Sequence, residues 1–190
     1  MDPIAPLPFP DPPLAAGGVL LRPWEDADAD GIVLAVADPE IPRWTRVPEP
    51  YLRRDAIGFL ASQEPMRRRG EHLGLALVDP AEPWRVLGSL SLLRPHWEHG
   101  RIEIGWWMAA PARGRGLATA GATLLSRWAL SALGMARVDC FVDVENLPSQ
   151  RVAERAGFVR DGVLRSWQEH RGERRSMASY GLLADDLTRR

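Results

Sequence analysis

Two arginines and two glycines alternate at Arg113-Gly114-Arg115-Gly116, between an apolar strand-like segment ending at Met108 and a long stretch of helical periodicity. A helix that opens just after such a loop presents free backbone N–H groups and the positive end of its dipole, which together favour a bound phosphate. Gly114 and Gly116 let the backbone approach an anion without an intervening side chain. Arg113 and Arg115 add charge-assisted donors, and Leu117, Ala118 and Thr119 supply the first-turn amides. Two spaced glycines alone would read as an ordinary turn; the strand–loop–helix setting is what points to a phosphate compound. A dinucleotide fold would want a third glycine three residues on and a place after the first strand. Thr119 occupies that third position and the run lies past mid-chain, so a nicotinamide dinucleotide is disfavoured.

Composition removes other chemistries. All 24 basic side chains of the 190-residue chain are arginine. Schiff-base catalysis and the lysine-bearing P-loop are therefore excluded. The single cysteine, Cys140, has apolar neighbours and reads as a buried, inert thiol. His96 and His99 stand three apart in a turn-like segment without an evident third ligand, so no metal is expected. A net charge of −1 gives no electrostatic case for nucleic acid or an anionic membrane. The apolar stretches fall short of the roughly 20 residues a membrane span needs, and the N-terminus lacks a secretory pattern. A soluble, cytoplasmic protein is expected.

The elements that must position these residues follow from punctuation and periodicity. Prolines crowd the start (Pro3, Pro6, Pro8, Pro10, Pro12, Pro13), so residues 1–17 read as an extended arm and 18–190 as one folded domain, opening on a strand at Val19-Leu20-Leu21. Asp26 is expected to cap a helix over 27–37, Pro42, Pro48 and Pro50 make 41–50 a loop, and a second helix covers 52–69. Strand-like runs at 72–78, 85–93 and 101–108, separated by turn residues, predict an antiparallel meander. Apolar spacing from Leu117 to Leu133, with Gly134 as the stop, predicts the principal helix. Small residues at Ala118, Ala120, Gly121 and Ala122 would let it lie close to a sheet. A strand at 137–142, a helix at 148–156 and strands at 158–164 and 177–183 complete an α/β chain built on one mixed, mostly antiparallel, twisted sheet flanked by helices.

With these pieces in order, Arg113-Gly-Arg-Gly116-Leu-Ala118 resembles the R/Q-x-x-G-x-G/A pyrophosphate loop of the GNAT superfamily of acetyl-CoA-dependent N-acetyltransferases. Asn146-Leu-Pro-Ser149-Gln-Arg-Val152-Ala-Glu-Arg-Ala-Gly157-Phe158 is similar to that superfamily's second signature. Leu21-Arg22-Pro23-Trp24-Glu25-Asp26 and Ile102-Glu103-Ile104-Gly105-Trp106-Trp107 resemble the RimJ/RimL branch, which acetylates protein N-termini among other amines. The likeness runs from about Leu20 to Leu187.

The resemblance implies a single GNAT-like domain binding acetyl-CoA, with no metal. Its pantetheine arm would lie between strands 101–108 and 137–142, against backbone groups of Trp107 and Met108, with the pyrophosphate on amides from Arg113 to Thr119. Asn146 would hydrogen-bond near the pantetheine end, or cap the helix that follows. The implied reaction is direct attack of a primary amine, from a protein N-terminus or a small molecule, on the thioester. Glu103 is the base candidate: with Ile102 and Ile104 turned to one side of their strand, its side chain points to the other. Its alternative is a structural ion pair with Arg101 or Arg137. Many relatives carry an acidic tyrosine where this chain has Ala153, so Ser149 is the remaining hydroxyl near the sulfur, to protonate or only to position the thiolate. Trp44 and Tyr51 are candidates for the acceptor wall. A homodimer is compatible with the family, and a non-catalytic acyl-CoA-binding protein on the same fold is the competing reading.

Overall fold

The computed structural model describes residues 5–187. An eight-stranded sheet runs in the order β1-β2-β3-β4-β5-β6-β8-β7. Its strands are β1 Leu14–Ala16, β2 Val19–Pro23, β3 His72–Asp79, β4 Glu82–His96, β5 Arg101–Met108, β6 Arg137–Asp143, β7 Val159–His170 and β8 Glu173–Leu183. The meander of β3, β4 and β5 forms as expected, and every neighbouring pair is antiparallel except β5 and β6.

Strand alternation separates the two faces. Leu73, Leu75, Leu77, Leu90, Leu92, Ile102 and Ile104 form the main core with α4 (Leu117–Ser131) and α5 (Leu147–Ala156). On the other side α1 (Ala29–Val36), α2 (Glu40–Trp44) and α3 (Arg53–Arg68) gather a smaller core of Ala29, Ile32, Val36, Ile41 and Ala56, against which Trp107 packs. Gly121 sets the distance between α4 and the sheet. A Cβ there would stand 2.9 Å from a Leu90 methyl and 3.0 Å from a Leu77 methyl, inside ordinary contact.

Ordered structure begins ahead of residue 18. Leu7 is fully buried, and its backbone N–H donates to the Arg67 carbonyl at 3.0 Å. Its own carbonyl accepts from the Arg67 guanidinium at 2.6 Å. Gly17 and Gly18, both at positive φ (60° and 77°), make the tight turn of a β1–β2 hairpin. A Gly-Gly pair between apolar residues is a hairpin signal, and the prolines before it concealed it.

Two local expectations also shift. Asp28, not Asp26, closes the first helical turn, accepting from the Glu25 N–H at 2.9 Å while gripping Arg22 through contacts of 2.7 and 2.8 Å. Residues 40–44 form the short helix α2, since Pro42 lies in its first turn, where a missing N–H removes no bond.

Candidate active site

β5 and β6 pair in parallel only at Arg101–Arg137, Ile102–Val138 and Glu103–Asp139, and then separate. Beyond Glu103 the side of β5 that faces β6 has no strand partner among the described residues. A cavity of about 880 Å³ opens along this gap and over the Glu103 face of the sheet.

One end of the cavity is the α4 N-terminus. Gly116 is the residue before the helix and sits at φ 77°, and Gly114 sits at φ 73°. A Cβ on either would meet nothing within 4 Å. The first acceptor the helix supplies is the Gly116 carbonyl, taken by Ala120 at 3.0 Å. Among the described residues the N–H groups of residues 114–119 therefore have no protein acceptor. Gly114, Gly116, Leu117, Ala118 and Thr119 line the cavity. A run of unpaired amides at a helix N-terminus, beside two glycines in open space, fits an anionic diphosphate.

The arginines of this loop are placed differently from expectation. Arg113 donates through Nε to the Met108 carbonyl at 3.1 Å and pairs with Asp38 at 2.9 Å. Its side chain thus ties the loop to β5 and to the end of α1, and the Met108 carbonyl is already engaged. Arg115 is exposed and does not line the cavity. The Trp107 indole packs against the smaller core, stacking on Trp24 at 6.5 Å, and the residue lines the cavity.

Glu103 lies toward the other end of β5. Its side chain is 16% exposed and is held by Arg94 through Nε at 3.0 Å and through Nη2. Burial raises its pKa above the ordinary carboxylate range, against the lowering effect of Arg94; nearby Asp139 raises it further and Arg46 lowers it. The arginine partner is neither Arg101 nor Arg137, because Arg137 is bound to Asp139 at 2.5 Å and to Asp161 at 2.5 Å. Arg94 follows Leu93, which stands directly opposite Glu103, and it sits at φ 48° in the irregularity between Leu93 and His96, so strand alternation alone would not have found it.

Asn146 caps α5, accepting the Ser149 N–H at 3.2 Å, and both residues line the cavity where β6 ends. The helix-cap alternative for Asn146 is thus realised. Trp44 also lines the cavity, its indole N–H bonded to Glu40 at 3.0 Å and the Arg43 guanidinium 4.6 Å over its ring. Tyr51 does not: it packs into the smaller core, where burial raises its pKa. Cys140 is buried and its thiol pKa is pushed far up by that burial. His96 and His99 stack at 5.1 Å on the β4–β5 turn. Cavity residues the sequence did not reveal include Arg46, Phe59, His72 and Ser91, which long-range strand and helix packing brings to the Glu103 face.

Splayed strands and a glycine-flanked helix N-terminus share one cavity with a half-buried carboxylate, and the sequence places the chain within one family. Residues 19–159 match the acetyltransferase (GNAT) domain, and the chain belongs to this family of acyltransferases. It is 26% identical over 163 residues to YoaA of Bacillus subtilis, an uncharacterized N-acetyltransferase, covering 85% of this chain and 90% of that protein. The fold is shared with RimJ of Mycobacterium smegmatis, solved with CoA-disulfide, at a TM-score of 0.80 and 22% identity, over 92% of this chain and 87% of that one. It is likewise shared with the ribosomal-protein-S5-alanine acetyltransferase of Vibrio fischeri, at a TM-score of 0.79 and 15% identity over 92% and 97%. Among the described residues no helix is long and apolar enough to cross a membrane.

Proposed function

We propose that this protein transfers the acetyl group of acetyl-CoA to a primary amine by direct attack within a ternary complex. The observation that carries the reading is that one cavity joins the unpaired amides of residues 114–119 to the buried carboxylate of Glu103. Met108 and Glu103 are five residues apart on β5, about 17 Å along an extended strand. That length suits a pantetheine arm running from an anchored diphosphate to a reacting thioester.

Bound acetyl-CoA supplies an activated acyl carbon; the chain's residues do the rest. The loop amides and the α4 dipole hold the diphosphate. The open edge of β5 offers backbone groups to the arm. Glu103, its proton affinity raised by burial, takes a proton from the acceptor ammonium or from a water against it, leaving a neutral amine. The amine nitrogen bonds to the acyl carbon as the carbon–sulfur bond breaks, and the proton that nitrogen sheds ends on the departing sulfur as the free CoA thiol. The Ser149 hydroxyl, on the first turn of α5, donates to the departing sulfur, and its high intrinsic pKa suits positioning more than full proton transfer.

Acetyl-CoA titration by calorimetry tests the donor half, and free-thiol release with a panel of amines tests the acceptor half. Absence of acetyl-CoA binding would overturn the reading. Binding with no transfer to any amine would favour a non-catalytic acyl-CoA-binding protein, a reading that Ala153, in place of an acidic tyrosine, keeps in view.

A further inference from the structure

The cavity that holds Glu103 carries a cation with no ion-pair partner. Three carboxylates line it and each is engaged: Glu40 by Arg43 and the Trp44 indole, Glu103 by Arg94, and Asp143 by the Glu145 N–H. Arg46 lines the same cavity, is exposed, and among the described residues makes no hydrogen bond and no ion pair. It lies near enough for its charge to act on the Glu103 carboxylate. Glu103, on which that charge acts, lies about 17 Å along β5 from Met108, where the loop to the diphosphate cradle begins. A guanidinium held in no ion pair beside the amine site discriminates against a polycation and favours an acceptor that brings its own anion.

Resting on the acetyltransferase reading, we infer that the acceptor is an amine flanked by a carboxylate, with the ammonium directed to Glu103 and the carboxylate to Arg46. Trp44 and Phe59, in the same lining, give such a zwitterion an aromatic wall. The carboxylate has two chemical sources, the α-carboxylate of a free amino acid or the side chain of an acidic first residue in a peptide.

The test compares kcat/KM at saturating acetyl-CoA for L-phenylalanine, L-phenylalaninamide and phenethylamine, and separately for Asp-Phe-amide against Asn-Phe-amide. A charge-assisted contact corresponds to about 10- to 100-fold in favour of the anionic member of a pair. The amide has the less basic amine, so a preference for the acid runs against intrinsic reactivity. A preference within the first set assigns a free amino acid, and one confined to the dipeptides assigns an acidic N-terminus. In Arg46→Gln the preference collapses toward unity, while Arg46→Lys retains part of it. Equal use of the neutral and anionic acceptors, a preference surviving in Arg46→Gln, or no transfer to any of the five compounds overturns the assignment. Acetyl-CoA binding by calorimetry on the same samples shows whether the transferase reading falls with it.

Discussion

Gly121 and Gly58 predict opposite outcomes for the same substitution. Both are helical, so alanine at either gains about 1 kcal/mol of helix propensity. At Gly58, exposed on α3, a new Cβ meets nothing within 4 Å. Gly58→Ala should therefore raise the thermal midpoint by about 2–4 °C. At Gly121 the Cβ would lie 2.9 and 3.3 Å from the two methyls of Leu90 and 3.0 Å from one of Leu77, both fully buried. Overpacking of this kind costs about 1–3 kcal/mol, so it outweighs the propensity gain by about 1 kcal/mol and the midpoint falls by about 2–4 °C. Because α4 carries the anion cradle at its N-terminus, its displacement should also weaken acetyl-CoA binding, which Gly58→Ala leaves alone. Thermal unfolding and calorimetry on the two variants decide the matter. Adding Leu90→Val to Gly121→Ala deletes a methylene and draws both crowded methyls back, so the double variant should be less destabilised than the sum of the singles. A rise in midpoint for Gly121→Ala matching that of Gly58→Ala would refute the packing argument.

Gly116→Val should weaken acetyl-CoA binding at least tenfold, since a branched residue at φ 77° distorts the loop that presents the amides; calorimetry showing unaltered affinity would contradict the cradle. If Glu103 is the base, kcat/KM falls as pH drops through its raised pKa, and Glu103→Gln abolishes that acidic limb of the pH–rate profile. The same variant has a stability signature: a carboxyl whose folded pKa is raised stabilises the fold least above that pKa, when it is ionised. Glu103→Gln should accordingly unfold at a higher temperature than the parent near neutral pH, and the gap should close as pH falls below the ordinary carboxylate range. Ser149→Ala should lower kcat by about tenfold or less if the hydroxyl only positions the sulfur, with acetyl-CoA affinity retained; full turnover removes it from the reaction.

Local signals carried most of the architecture. Period-two runs divided by turns yielded the β3–β4–β5 meander, and glycines at 116, 134 and 157 marked helix ends that the fold places at positive φ. The hairpin at Gly17-Gly18 was equally local but was masked by proline density. Features made by long-range packing were harder to read. Arg94 meets Glu103 from an irregularity in β4, at φ 48° between Leu93 and His96, and Arg46 comes to the same cavity through the α2–α3 connection, which carries no periodicity. Tyr51 shows the converse: its aromatic type suggested an acceptor wall, whereas helix packing commits it to the smaller core. The Arg113 side chain was read as an anion donor from charge alone; it lines the cavity and is also held by the Met108 carbonyl and Asp38, contacts that charge could not reveal.

Three residue pairs hold the parallel seam between β5 and β6, so the sheet is in effect two rafts, β1 to β5 and β6 to β8, moored at one corner. Gly100, at φ 58°, is the cleat: its carbonyl accepts from Ala136 at 2.6 Å and Arg137 at 3.1 Å just ahead of the seam. Away from that corner no strand among the described residues spans the gap, and a guest lying there is braced by both rafts at once. Donor occupancy should then register as slower amide exchange on β5 and β6 together, far from the diphosphate, with the rafts behaving as one body only when loaded.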